Sequence, residues 1–187
     1  MLIAAAHEHL TAIRTADLHG QAIIFYDSHD PVEAMQMGIV SGSCTNLRTS
    51  RRGFNASVTN AIDANKKVIY QMNEKGSQVG RTLAVLSDSG IVTYEPYNTT
   101  SIDLGAAWVD YFSTYAQQVG TSLIVPVTFT KNPSLREALE TSGAHHGSVN
   151  ATIHNTSHDQ WYDDIGRSIV HQQDLRYKNL EAYVLSP

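Results

Sequence analysis

The sequence has little cysteine, little charge and no long apolar run. Its single cysteine, Cys44, excludes an intramolecular disulfide and a cysteine-rich metal site. No apolar run approaches the roughly 20 residues that a membrane-spanning helix needs. Charged residues make up 17% of the 187 residues and the formal net charge is -5, which argues against neutralisation of a nucleic-acid backbone. We therefore expect one globular domain over residues 1–187, with neither membrane nor nucleic acid as a partner.

The start of the chain gives no sign of export. Residues 1–6 are apolar, but this run is too short for a signal-peptide core, and His7 interrupts it at once. We therefore expect a cytoplasmic protein.

Apolar residues alternate or recur at helical spacing along most of the chain, which predicts a mixed α/β domain. The predicted strands are 22–26, 67–72, 78–86, 91–97, 122–128, 166–171 and 180–185. The predicted helices are an N-terminal helix within 1–18, then 30–38, 55–64, 100–120 and 134–143. Residues 144–165 are expected to be mainly loop.

Side chains suited to capping predict where three of these helices begin. Asp30 precedes Pro31, an N-cap followed by proline at the first helical position. The pairs Thr100 with Asp103 and Ser134 with Glu137 have capping-box spacing.

From Ala22 onward the predicted order, β-α-α-β-β-β-α-β-α-β-β, resembles the fold of the GCN5-related N-acetyltransferases. The resemblance implies a central mixed, mostly antiparallel sheet flanked by helices, in which two strands open to hold the pantetheine arm of acetyl-CoA. The pyrophosphate would lie at the N-terminus of the helix over 100–120, where unpaired amides favour an anion. The implied function is acyl-CoA-dependent acyl transfer to a small-molecule or peptide amine, or to a similar nucleophile.

The cofactor motif of that family is Arg or Gln, two residues, Gly, one residue, then Gly or Ala. This chain has Ile102-Asp103-Leu104-Gly105-Ala106-Ala107, in which the glycine and the closing alanine match. Ile102 replaces the basic or amide residue, and Asp103 puts a carboxylate where phosphates should lie. The resemblance assigns acyl-CoA binding to five residues: Val92, Tyr94, Gly105, Ala106 and Ala107. The departures support an alternative, a non-catalytic binding module that has lost CoA.

Acyl transfer to an amine needs a base for the acceptor and an acid for the leaving thiolate. Glu95 lies on the strand before the cofactor helix, where the resemblance places a general base. Tyr162 and Tyr183, near the C-terminal strands, are the candidate acids.

Two other kinds of site are compatible with the sequence. Cys44 follows a small-residue loop and could act as a nucleophile in a hydrolase or transferase, with His145 or His146 as its base and Asn150 as orienter. A cluster of imidazoles and carboxylates could hold a divalent metal, although we expect none; its members are His145, His146, His154, His158, Asp159, Asp163 and Asp164. A protein partner or a homodimer is also compatible with the sequence.

Overall fold

The structure is a computed structural model that describes residues 12–16, 20–28, 30–41, 63–94, 96–98, 103–154, 161–163, 168–170 and 174–187. The helices are α1 (Pro31–Met35), α2 (Met37–Ser41), α3 (Gly105–Val119) and α4 (Pro133–Thr141), with a 3-10 turn at Val127–Phe129. The strands are β1 (Ala12–Ala16), β2 (Ala22–Asp27), β3 (Lys66–Asn73), β4 (Gln78–Leu86), β5 (Ile91–Thr93), β6 (Tyr97–Asn98), β7 (Leu123–Pro126), β8 (His145–His154), β9 (Trp161–Asp163), β10 (Ser168–Val170) and β11 (Asp174–Leu185). Within these ranges no helix has the length and apolar character needed to cross a membrane.

One mixed sheet dominates the molecule, as the sequence predicted. Its order is β1-β2-β3-β4-β5-β7-β11-β8, with β6 beside β4. Only β5 and β7 run parallel among the strand pairs described, and β11 lies between β7 and β8. The strands β9 and β10 form a separate antiparallel pair.

Helices cover both faces of this sheet. On one face α3 packs on β2, β3 and β7 through an apolar stripe that includes Trp108, Tyr111 and Phe112, all fully buried. The other face carries α1 and α2, where Ala34 and Met37 pack on the side chains of β3, β4 and β5. The predicted apolar stripe of the long helix is therefore confirmed, and Gly120 ends it with φ of 72°.

The predicted N-terminal helix is wrong over Ala12–Ala16, which form β1; its remaining residues lie outside the described ranges. β1 pairs with β2 at five successive positions, from Ala12 opposite Tyr26 to Ala16 opposite Ala22. Pairing satisfies the backbone groups that an edge strand would otherwise leave open, and this outweighs a weak helical spacing.

Three helix boundaries differ from prediction. The long helix begins at Gly105 with Leu104 as its N-cap, so Asp103 precedes the helix and cannot be the third helical residue of the capping box predicted with Thr100. Asp30 does accept from the Val32 amide, at 2.8 Å, but a second short helix continues past Gly38. In α4 the N-cap is Asn132, whose Oδ1 accepts from the Ser134 amide at 3.0 Å, so Ser134 lies inside the helix. The predicted helix over 55–64 lies outside the described ranges except at Asp63 and Ala64, which are not helical.

The C-terminal third contains more strand than the sequence indicated. The expected loop begins with β8, a ten-residue strand that pairs with β11 along most of its length. The final strand starts at Asp174, six residues before the predicted start at Leu180. The strand predicted over 166–171 is confirmed at Ser168–Val170.

Candidate functional site

The parallel pair β5 and β7 separates after two residues. Ile91 lies opposite Leu123 and Val92 opposite Ile124, and the pairing then ends. Beyond this point β5 follows β4, since the Tyr94 amide donates to the Leu83 carbonyl at 2.9 Å. Strand β7 instead stays paired with β11 as far as Pro126. The sheet therefore opens at the carboxyl ends of its two parallel strands.

The N-termini of α3 and α4 meet at this opening. The Asp103 carboxylate accepts from the Gly105 amide at 2.9 Å and also from the Ser134 hydroxyl. One carboxylate therefore caps the first turn of α3 and joins it to the first turn of α4. This capping is chemically favourable because unpaired amides and the helix dipole both attract negative charge.

Gly105 allows the two helices to approach closely. A Cβ atom at this position would lie 2.7 Å from Ser134 Oγ and 2.8 Å from the Ser134 carbonyl carbon. The glycine is therefore required by the contact between α3 and α4. Its presence in the motif does not by itself indicate a phosphate nearby.

An aromatic pair lies over the opening on the face of α1 and α2. The rings of Tyr94, which follows β5, and Phe129, which follows β7, are 5.5 Å apart at a tilt of 58°. Tyr94 is 1% exposed and Val92 is fully buried. These two residues, both predicted to bind the cofactor, present no exposed side chain to a ligand.

No protein-family model and no curated protein matches the sequence. Solved structures with a similar overall fold include the following two. A candidate acetyltransferase from Sphaerobacter thermophilus DSM 20745 is 10% identical with a TM-score of 0.51, over 95% of this chain and 100% of that one. A second, from Acinetobacter baylyi ADP1, is 14% identical with a TM-score of 0.50, over 88% and 93%. The chain has an acetyltransferase-type fold. At such identities the likeness establishes the fold alone.

The described start of α3 does not fit a pyrophosphate as the resemblance would place it. Asp103 already accepts from the first helical amide and adds negative charge there. Ala106 is exposed and Ala107 is 2% exposed, and neither offers a polar side chain. The sequence contains no Lys or Arg between Arg81 and Lys131. At the described start of α3, the residues therefore do not supply the anion site that the motif implies.

The described residues do not test whether the three predicted catalytic residues come together. Glu95 lies outside the described ranges, between Tyr94 and Pro96. Tyr162 lies on β9, apart from the main sheet, and only its backbone is described. Their roles stay predictions.

Tyr183 lies on β11, where its hydroxyl donates to Glu140 Oε1 at 3.2 Å. Burial, with the hydrogen bond to this carboxylate, raises the pKa of Tyr183. Glu140 is six residues beyond Ser134, or about 9 Å along a helix axis. The tyrosine hydroxyl is therefore associated with the far half of α4, away from the opening.

The strand β8 separates the histidines that the sequence grouped together. His146 and His154 are eight residues apart on one strand, a separation of about 27 Å. These two cannot ligate the same ion, and among the residues described no three His, Cys, Asp or Glu side chains form a metal group. His158, Asp159 and Asp164 lie outside the described ranges, as does the side chain of Asp163.

Asn150 cannot take the role predicted for it in the proposed cysteine site. Asn150 is four residues from His146, about 13 Å along the strand, so it cannot orient that imidazole. It instead accepts from the Asn179 amide at 3.0 Å, beside the irregular register of β11. His146 Nε2 lies 3.5 Å from Glu181 Oε2, and Cys44 lies outside the described ranges.

Sequence reasoning missed Asn132, Ser134 and Phe129 as residues of this region. Asn132 precedes Pro133, the same N-cap and proline combination that identified α1, so a local signal for it existed. Two contacts in this region join residues that are at least 31 positions apart in the sequence. They are the contact of Ser134 with Asp103 and that of Phe129 with Tyr94. Local patterns contain no signal for such contacts.

Proposed function

We propose that this chain is an acyltransferase that moves an acyl group from a thioester to a small-molecule or peptide amine, or to a similar nucleophile. The observation that supports this most is the opening between β5 and β7 where the N-termini of α3 and α4 meet. Ligands of open α/β sheets bind at the carboxyl ends of the strands, where neighbouring connections leave a crevice.

The reaction forms a carbon–nitrogen bond as the carbon–sulfur bond of the thioester breaks. The amine gives up one proton and the departing sulfur takes one, so a base and an acid are both useful. We assign the base to Glu95, because it directly follows Tyr94 at the end of β5. Tyr162 is the better candidate for the acid, because the Tyr183 hydroxyl is associated with Glu140.

The test is release of free thiol from an acetyl thioester in the presence of a panel of amines. Wild-type protein should release thiol only with its acceptor, and Glu95→Gln should lower kcat by at least about 100-fold, as expected when a general base is lost. Glu74→Gln makes the same chemical change in the exposed turn between β3 and β4 and should leave kcat unchanged. Full activity of Glu95→Gln would count against the assigned base, and no thiol release with any amine would count against acyl transfer.

A second candidate is a non-catalytic binding module, and the capped start of α3 specifically favours it. Asp103 occupies the helix start, and Tyr94 with Phe129 lies over the opening. A module of this kind would release no thiol under any condition. It would be recognised instead by retention of an amine or peptide ligand in equilibrium dialysis, with unchanged binding in Glu95→Gln.

A further inference from the structure

We infer that Asp103 excludes a donor pyrophosphate from the start of α3, so that the acyl donor of this chain is used without recognition of its pyrophosphate. This inference rests on the proposed acyltransferase function. It concerns which part of the donor contributes to recognition, and it assigns a selective role to a residue that the family motif does not contain.

The Asp103 carboxylate stands where a phosphate oxygen would otherwise bind. It accepts from the Gly105 amide at 2.9 Å, which is the first amide of α3. A helix start offers a small number of unpaired amides, so each one used internally is lost to a ligand. The charge of the carboxylate also repels a second anion at this short range.

The carboxylate is held in place from a second direction. The Ser134 hydroxyl donates to it from the first turn of α4. Rotating Asp103 away would break this bond as well as the one to the Gly105 amide. Gly105 lies against Ser134, so the two helix starts cannot separate without losing their contact.

Within the described first turn of α3 there is no positive charge that could hold a pyrophosphate. The first turn of this helix carries Gly105, Ala106, Ala107 and Trp108, none of them basic. The nearest basic residues along the chain after the opening are Lys131 and Arg136, around the start of α4. Arg136 donates to the Thr130 carbonyl at 3.2 Å and so contributes to that local structure.

The experiment compares acetyl-CoA with S-acetyl-pantetheine, which has the same thioester and arm but no nucleotide or pyrophosphate. Both are assayed by thiol release with the same acceptor. We expect the kcat/KM values of wild-type protein to agree within about threefold, because groups that are not bound contribute no transition-state stabilisation. Inorganic pyrophosphate at millimolar concentration should not inhibit.

Asp103→Asn should change this selectivity. The amide oxygen can still accept from the Gly105 N–H, and the repelling charge is gone. We expect acetyl-CoA to become preferred by about tenfold or more and pyrophosphate to become a competitive inhibitor. Asp110→Asn is the matched control, since it removes an exposed carboxylate from the same helix beyond the first turn, and it should retain the wild-type ratio. Circular dichroism of each variant establishes that it is folded.

The possible outcomes separate this inference from the proposed function. If wild-type protein uses acetyl-CoA more than about 30-fold better than S-acetyl-pantetheine and pyrophosphate inhibits it, the inference is overturned while acyl transfer stands. The inference is also overturned if Asp103→Asn is folded and active but retains the wild-type ratio. If neither donor releases thiol, the proposed function fails and the inference fails with it.

Discussion

Two junctions in the sheet are built in different ways. β3 and β4 pair at seven positions, from Lys66 opposite Val85 to Met72 opposite Gln78, and a four-residue turn joins them. β5 and β7 pair at two positions, and α3 lies between them in sequence. The first junction is therefore stabilised mainly by its own backbone hydrogen bonds. The second junction depends on the side chains that pack across it.

Part of the packing across the second junction comes from α3. Its apolar stripe belongs to one buried cluster that also contains Phe25 and Ile69 from one side of the junction, and Leu123 and Val125 from the other. A sheet can therefore open at its centre, as a ligand crevice requires, while the helix beneath continues to join its halves. We expect changes in α3 to affect the β5 and β7 junction more than the β3 and β4 junction.

The largest effect is expected for Trp108→Ala. Trp108 is fully buried, its ring is 4.5 Å from that of Phe112, and its Nε1 donates to Thr82 Oγ1 at 2.9 Å. Loss of a buried tryptophan side chain should lower the free energy of unfolding by about 3–5 kcal/mol. Urea unfolding measures the total loss, and native-state hydrogen exchange measures where protection falls.

Val68→Ala is the control for that variant, because Val68 is 2% exposed on β3 but packs on the opposite face. The amides of β5 and β7 should lose more protection in Trp108→Ala than in Val68→Ala, after correction for total stability. Equal loss at both junctions would contradict the view that α3 joins the two halves.

A smaller effect is expected for Gly105→Ala, which tests the contact between α3 and α4. Alanine normally favours a helix over glycine by about 1 kcal/mol. Here its methyl group would lie within 3 Å of Ser134, including its backbone, so we expect a net loss of about 1–3 kcal/mol. Thermal or urea unfolding gives the sign directly.

Gly147→Ala provides the comparison for Gly105→Ala. Among the described residues, a Cβ at Gly147 meets only the His145 ring, at an ordinary 3.7 Å. Since glycine weakens a strand through its conformational freedom, this variant should be neutral or slightly more stable. A stabilising Gly105→Ala would show that the two helix starts can separate without cost.

The sequence was sufficient to predict the junction between β3 and β4, but not the junction between β5 and β7. The strands β3 and β4 were predicted to within one residue at each end, because both contain alternating apolar residues and are joined by a turn in which Gly76 has φ of 74°. The apolar stripe of α3 was equally recognisable from the spacing of its apolar residues. The opening between β5 and β7 could not be predicted, because it depends on which strands pair. A fifteen-residue helix separates β5 from β7 along the chain, so local patterns do not indicate that they are neighbours.

The sequence alone could identify Asp103 as a residue of the candidate site, but it could not identify the residues that contact it. A carboxylate within the cofactor motif is visible in the sequence alone. That Ser134 holds the carboxylate, and that Phe129 covers Tyr94, follows from tertiary packing. β8 was missed for a related reason: its apolar residues, Val149, Ala151 and Ile153, occupy only its second half, and pairing with β11 determines the rest.

The smallest effect is expected for Tyr111→Phe, which removes a buried hydroxyl group from the apolar stripe of α3. Tyr111 is fully buried, its ring stacks 4.6 Å from that of Phe25, and its hydroxyl has no hydrogen-bond partner in the part of the chain that the structure describes. Removing an unsatisfied buried hydroxyl should leave stability at pH 7 unchanged or raise it by up to about 1 kcal/mol. A loss greater than about 1 kcal/mol would indicate that the hydroxyl has a partner.

The same variant should change how stability depends on alkaline pH. Burial raises the pKa of Tyr111, and it raises the pKa of Tyr115 to about 12. The folded protein therefore keeps these protons above pH 10, while the unfolded chain releases them, so stability falls as pH rises from about 10. Tyr111→Phe should flatten that decline more than Tyr115→Phe, because Tyr111 is the more deeply buried. Urea unfolding at pH 8, 10 and 11 measures both slopes, and equal slopes in the two variants would indicate that the Tyr111 hydroxyl reaches solvent when it ionises.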